Sequence, residues 1–247
     1  MKWLALAIGN SRLHWAYFDG QEIKQTWHSA HFTPAADWRK IAQPDWLIPA
    51  NIPLYLASVV PAQTAQWQLL AQKVLTLADV PLNGLYPTLG IDRALAALGA
   101  GETCGYPLLL IDAGTALTIT GINADRQLMG GAIWPGLRLQ WQALHQGTAA
   151  LPNFQADFKP VNRWAMNTEE AIASGVFHGT LAGIKDFYLD WQSQFPETAL
   201  VITGGDGKFL YLSLQSNVSW QYELKSLKHC DSAVFWGMSM VCTETNP

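Results

Sequence analysis

Basic residues are few in this chain and never clustered. Fifteen Lys and Arg face 19 Asp and Glu, only 14% of residues are charged, and the formal net charge is −4. With no basic stripe and no Lys/Arg run, a nucleic-acid backbone is not an expected partner. Cysteine is also scarce: Cys104, Cys230 and Cys242 are odd in number and show no C-x-x-C spacing. That usage suits a reducing compartment, so a cytoplasmic protein is expected. Long apolar runs are missing too. The first one ends at Gly9, too short to span a bilayer and without a cleavage-like end, so it reads as a strand and no membrane partner is expected. The six histidines (His14, His28, His31, His145, His178 and His229) lack metal-ligand spacing except for a weak His28-x-x-His31 pair. That pair sits in a polar, surface-like segment and points to structural or solvated roles.

What the chain does have is apolar material: 49% of its 247 residues are hydrophobic, enough for one large core or two ordinary ones. The 12 Trp are scattered along the chain, as core and interface residues would be. The central stretch runs from Leu108 to Thr120. Leu108-Leu109-Leu110-Ile111 reads as a buried strand, Asp112-Ala113-Gly114-Thr115 interrupts it, and Ala116-Leu117-Thr118-Ile119-Thr120 resumes with period two. A hairpin with this tip offers exposed backbone N–H groups, a hydroxyl, and an acid able to hold a cation, which are the parts of a phosphate and metal site.

The same grammar occurs earlier. Leu4 to Ile8, then Gly9-Asn10-Ser11-Arg12, then Leu13 to Phe18 again spell strand, polar turn and strand. Superposing Gly9 on Gly114 puts Ala7 under Asp112, which reads as an internal duplication. Two such hairpins facing one another across a cleft resemble the actin-like ATP-binding folds, although two ordinary hairpins would give the same pattern.

The remaining landmarks follow in order. Gln21 to Trp27 reads as a third strand after the Asp19-Gly20 turn. Leu54 to Val60 reads as a strand stopped by Pro61, and Thr64 to Leu77 as a helix with Trp67, Leu70, Val74 and Leu77 on one face, a crossover implying a mixed or parallel sheet. Gly90-Ile91-Asp92-Arg93 opens a helix of small residues. Asp92 is either a capping acid or a base for a substrate hydroxyl beside a cation that holds the substrate. Met129 to Gly136, rich in glycine, is backbone that must pass close to a ligand or another strand, and Leu137 to Leu144 is an amphipathic helix ending at Gly147. Phe154 to Trp164 is irregular. Asn167-Thr168-Glu169-Glu170 caps a long helix that runs to Trp191. Ala199 to Thr203 is a strand, and Gly204-Gly205 after it is either a surface for a base or ribose or a plain turn. His229 to Val241 reads as a closing helix.

Eight segments together carry a specific resemblance. They are Gly9-Asn10-Ser11, Ala57-Ser58-Val59-Val60-Pro61, Leu89-Gly90-Ile91-Asp92-Arg93, Ile111-Asp112-Ala113-Gly114-Thr115-Ala116, Gly130-Gly131-Ala132-Ile133-Trp134-Pro135-Gly136, Gly147-Thr148-Ala149-Ala150-Leu151-Pro152, Asn167-Thr168 and Thr203-Gly204-Gly205. In order and spacing the set is similar to the type III pantothenate kinases. The resemblance implies an α/β chain of two duplicated ribonuclease-H-like (actin-like) domains with mixed sheets and an ATP cleft, divided as residues 1–105 and 106–247, with the last helix able to pack back on the first domain. It implies a homodimer that moves the ATP γ-phosphoryl group to the 4′-hydroxyl of pantothenate, the first step of coenzyme A synthesis, with Mg2+ and a monovalent cation, K+ or NH4+.

Carried over by position, Asp92 resembles the general base and, with Gly90, Ile91 and Arg93, the pantothenate-binding segment. Thr168 matches a pantothenate contact, Asp112 the acid that binds the monovalent cation, Thr115 an ATP contact, and Ala7, Ile8, Gly9, Asn10, Ser11, Arg12, Leu13 and His14 the first phosphate loop. Gly204 and Gly205 would lie against the nucleoside. Two departures stand out. The family's first loop ordinarily reads Asp-x-Gly-Asn-Thr, so Ala7 replaces an acid expected near magnesium. A substrate-contacting tyrosine is expected before the Gly-x-Asp-Arg segment, where Asn83 falls near the position and Tyr86 is the closest candidate. Two other readings share the motifs: a kinase for another small hydroxylated acid, and a nucleotide-binding regulator without catalysis.

Overall fold

The computed structural model describes residues 1–34, 38, 48, 49, 51–153, 159–216, 224 and 226–243. Contacts divide the chain into two compact units: Met1–Gly99 with the segment from Ala233, and Ala100–Ser232. The division falls inside a helix, just before the expected boundary at residue 105.

In the first unit, β1 (Lys2–Ile8), β2 (Leu13–Asp19), β3 (Glu22–Ser29), β4 (Leu54–Ser58) and β5 (Lys73–Val74) form one sheet in the order β3-β2-β1-β4-β5. The three N-terminal strands meander antiparallel, and β4 and β5 join in parallel. β1 is buried along nearly its whole length, as a central strand covered on both faces must be. Its Leu4, Leu6 and Ile8 pack with Leu13, Trp15, Leu54, Leu56 and Trp67. The helices are α1 (Pro61–Trp67), α2 (Ile91–Cys104), whose last turns enter the second unit, and α6 (Ala233–Thr243).

The second unit repeats the plan. Strands β6 (Leu108–Ala113), β7 (Ala116–Ile122), β8 (Leu128–Pro135), β9 (Ala199–Thr203) and β10 (Leu227–His229) lie in the order β10-β9-β6-β7-β8. Strand for strand this is the first sheet again, with the same antiparallel and parallel pairings. Helices α3 (Leu137–Gly147), α4 (Thr168–Gln194) and α5 (Gly207–Gln215) complete the unit. Asn167 Oδ1 accepts from the Glu170 N–H at 2.9 Å, which caps α4. Ile172, Val176, Leu181, Ile184, Tyr188 and Trp191 of that helix then pack into the core.

The structure corrects the sequence reading of two helices and refines it at two other places. The helix expected over Thr64 to Leu77 begins earlier and is shorter: Pro61 starts α1, Trp67 ends it, and Val74 belongs to β5, paired with Leu56. The helix expected from His229 begins at Ala233, because His229 lies in β10 and Ser232, with φ of 61°, breaks the chain direction. The glycine-rich segment is strand β8, and its close neighbour is backbone, since a Cβ on Gly136 would sit 2.2 Å from Gly114 O and 2.7 Å from Thr115 O. The two hairpin tips also differ: Ile8 pairs with Leu13 but Ala113 with Leu117, so the first turn is one residue longer.

Candidate active site

In the first unit, the C-terminal ends of β1 and β4 and the start of α2 come together. The Val59 N–H donates to Ile8 O at 3.1 Å, tying the two strand ends. A Cβ on Gly90 would lie 3.5 Å from Val59 Cγ1 but 2.5 Å from Asp92 Oδ1. Residue 90 is therefore glycine because the Asp92 carboxylate occupies the space beside it. Asp92 is the second residue of α2, and its Oδ1 accepts from the Arg93 N–H at 2.7 Å. It thus lies inside the first turn, where the free N–H groups and the helix dipole favour an acid; the capping position itself falls to Gly90, whose carbonyl accepts from the Ala94 N–H.

Burial raises the Asp92 pKa from its ordinary value, opposed by the N–H groups of Arg93 and of Asp92 itself and by the Arg93 charge. Arg93 is buried, and its Nη1 donates to Tyr86 Oη at 3.2 Å. Tyr86, Gly90, Ile91, Asp92 and Arg93 therefore form one cluster. An open groove lined by Ser58, Val59, Pro61, Thr64 and Gln68 adjoins it at Val59.

The first hairpin tip stands on β1. The Gly9 N–H donates to Arg12 O at 3.1 Å, and Asn10, Ser11 and Arg12 are exposed. Gly9 O in turn accepts from His31 Nε2 at 2.9 Å, which fixes a proton on that nitrogen. His14, exposed on β2, has its ring centroid 6.5 Å from that of His28 on β3. The sequence pattern gave His28 and His31 structural or solvated roles but no sign that His31 would anchor Gly9, because the contact joins distant segments.

In the second unit, Asp112 pairs in register with Thr118 on one side and Thr203 on the other. Gly204 has φ of 92°, and a Cβ there would fall 2.4 Å from Asp112 Oδ1 and 2.6 Å from Ala113 N. The carboxylate thus lies against bare backbone that only glycine allows. Gly205 next to it is exposed with open space above it. The Asp206 N–H donates to Ala113 O at 2.9 Å, locking the β9 exit to the hairpin, and Thr115 is exposed at the tip. Asp112, Thr115, Gly204 and Gly205 form this second cluster, while Thr168 is exposed at the start of α4.

The family model for type III pantothenate kinase matches residues 3–190. The chain belongs to the type III pantothenate kinases. Among relatives so described, one from Synechocystis sp. is 47% identical, covering 97% of this chain and 90% of its own. Another from Nostoc sp. is 40% identical, covering 97% and 94%. Solved structures share the fold at lower identity. A Baf family transcriptional activator from Campylobacter jejuni matches with a TM-score of 0.65 at 22% identity over 98% of both chains. Porphyromonas gingivalis acetate kinase matches with a TM-score of 0.56 at 11% identity over 99% of this chain and 100% of its own. Membership of this kinase family fits the actin-like architecture of paired, duplicated sheets. Among the described residues, no helix is long and apolar enough to cross a membrane.

Proposed function

We propose that this chain transfers the γ-phosphoryl group of ATP to the 4′-hydroxyl of pantothenate, the first step of coenzyme A synthesis. The observation that carries the reading is Asp92: a part-buried carboxylate with raised proton affinity, seated over Gly90, next to a buried Arg93 that engages Tyr86. Asp92 accepts the hydroxyl proton as the oxygen attacks phosphorus and the bond to the departing ADP breaks. Arg93, with Tyr86, Gly90 and Ile91, holds the pantothenate, and Thr168 adds a contact. Phosphoryl transfer through a loose transition state needs positioning and charge neutralisation more than covalent chemistry. The exposed tip from Gly9 to Arg12, with His14, and the tip at Thr115 offer the N–H and hydroxyl donors for phosphates, and open backbone at Gly205 suits a nucleoside.

The residues also fit the expected cations. Among the described residues, no group of three or more His, Cys, Asp and Glu could hold a metal. Asp112 would therefore give one carboxylate to K+ or NH4+ and leave the other positions to carbonyls, ATP oxygens and water; Mg2+ would come with the nucleotide, keeping much of its hydration. When bound, these ions neutralise phosphate charge. The homodimer expected from the resemblance has surface support: Trp164 and Met166, just before Thr168, are 86% and 97% exposed, an unusual state for such side chains unless a partner covers them.

The test is a coupled assay with purified protein, ATP, magnesium, potassium and pantothenate. Turnover that requires each component supports the proposal. Preferential turnover of another hydroxylated acid, or ATP binding with no turnover, overturns it.

A further inference from the structure

We infer that Arg138 is a further nucleotide-binding residue: its guanidinium holds the polyphosphate between the second hairpin tip and the turn after β9. The assignment rests on the kinase reading, which gives the Thr115 tip to phosphates and the open backbone at Gly205 to a nucleoside, and it adds the cation that stands between them.

Two tethers place this side chain, all within the second unit. At its base, Arg138 is the second residue of α3, and the start of that helix is pinned to the hairpin tip. The Gly136 N–H donates to Thr115 O at 3.0 Å, and Gly136 packs so tightly on the carbonyls of Gly114 and Thr115 that a Cβ would not fit. At its far end, Arg138 Nη2 lies 3.8 Å from Asp206 Oδ1. Asp206 follows Gly205 directly, and its N–H donates to Ala113 O at 2.9 Å. The guanidinium therefore reaches from the hairpin side to the β9 exit, beside both places assigned to the nucleotide.

Arg138 is also badly placed for its own helix. The first turn is the positive end of the helix dipole, where a cation is disfavoured, and this first turn holds no acid and no capping side chain on Gly136 to offset it. The pair with Asp206 contributes little, because at 3.8 Å, with the arginine side chain 50% exposed, it is wide and screened by solvent. A local preference broken with so little structural return marks a functional position, and an anion is what would restore the balance. The planar guanidinium presents paired N–H donors that match phosphate oxygens. Asp206 keeps it turned toward Gly205, and a polyphosphate held there keeps the γ-phosphoryl group aligned for transfer.

The test titrates full-length wild type, Arg138→Gln and Arg138→Lys with ADP by calorimetry, takes KM for ATP and for pantothenate from the coupled assay, and records melting without nucleotide. Arg138→Gln should weaken ADP about tenfold or more, the scale of a hydrogen bond to a charged group, and raise KM for ATP while leaving KM for pantothenate unchanged. Arg138→Lys, which keeps the charge but not the paired donors, should recover part of the loss. Equal ADP affinity in wild type and Arg138→Gln would overturn the assignment and leave the kinase reading standing, whereas a wild type that binds no ADP would overturn both. A loss that comes with lower melting and that Arg138→Lys does not recover would make the side chain structural, and would equally overturn it.

Discussion

Withdrawing the Asp92 carboxylate from water raises its proton affinity, and the signs of two measurements follow. As a base it works only when ionised, so kcat/KM should fall on the acid side at a pH above the value of about 3.9 typical of an exposed aspartate. For stability, the native state binds this proton more readily than the unfolded chain. That contribution is present below the unfolded value and is lost as pH rises through the raised native one. Asp92→Asn, neutral at every pH and still able to accept from the Arg93 N–H, should therefore melt no lower than wild type at neutral pH while losing about 10²-fold or more in kcat. Near-normal kcat with earlier melting would mean that Asp92 serves the helix alone. The two roles weighed for Asp92 from sequence, helix cap and base, place the same acid at the same helix start; the structure moves the capping position to Gly90 and leaves the base role to the rate measurement.

Asp112 calls for a different readout. Its carboxylate rests on bare glycine backbone at a strand end, and a monovalent ion bound there should show in the rate. Activity is expected to rise with potassium or ammonium and to fall in sodium or choline buffer, whereas equal rates in all four would remove the cation from Asp112.

At the level of elements, the duplication carries the most information. Ile8 pairs with Ser58 where, in the second unit, Gly204 follows the Asp112 and Thr203 pair. Ser58 thus holds the place that Gly204 holds beside Asp112, and a Cβ at Gly204 would fall 2.4 Å from that carboxylate. Ala7, itself buried, and Ser58 make a matched pair, as do Asp112 and Gly204. Restoring an acid with Ala7→Asp should accordingly destabilise the protein, and adding Ser58→Gly should recover part of the loss. A magnesium titration should then show a lower half-maximal concentration for the double variant than for wild type. If Ala7→Asp alone is as stable as wild type, the steric reading of Ser58 fails.

The same scale shows what sequence can carry. The hairpins were legible because a run of apolar residues, a glycine turn and a period of two coincide within a dozen positions. β5 and β10 were not, being two and three residues long and set by pairing to β4 and β9 rather than by their own pattern. The helix over Thr64 to Leu77 was overextended because Val74 and Leu77 keep helical spacing although Val74 pairs with Leu56 in a sheet. Contacts such as His31 on Gly9, or Gly204 on Asp112, join distant segments and leave no local period to read.

For the whole molecule, the surface available to a dimer is set by what the core leaves uncovered. Most apolar positions of α4, from Ile172 to Trp191, are taken up by the core of their own unit, with Phe187 and Leu189 left exposed. Among the most exposed large apolar side chains of this unit are Trp164 and Met166, together with Met129 and Ile133 of β8 at 50% and 64%. A twofold dimer covering such side chains should give about twice the 27.2 kDa chain mass in light scattering at micromolar protein, and a mass of one chain would refute it. Replacing Trp164 and Met166 with Ser should shift that mass toward the monomer.

Because α6 comes from the far end of the chain, the first unit is finished last. A Cβ on Gly237 would lie 2.0 Å from Leu95 O, and one on Gly99 the same 2.0 Å from Ala233 O, so α2 and α6 cross with their backbones in contact. On the ribosome, residues 1–99 emerge first but lack the helix that seals α2, whereas residues 100–232 are continuous and can close as soon as they are out. The later half of the polypeptide should therefore reach its native packing before the earlier half, and a chain stalled before Ala233 would hold a completed second sheet beside an N-terminal unit with α2 uncovered, the species a chaperone would meet.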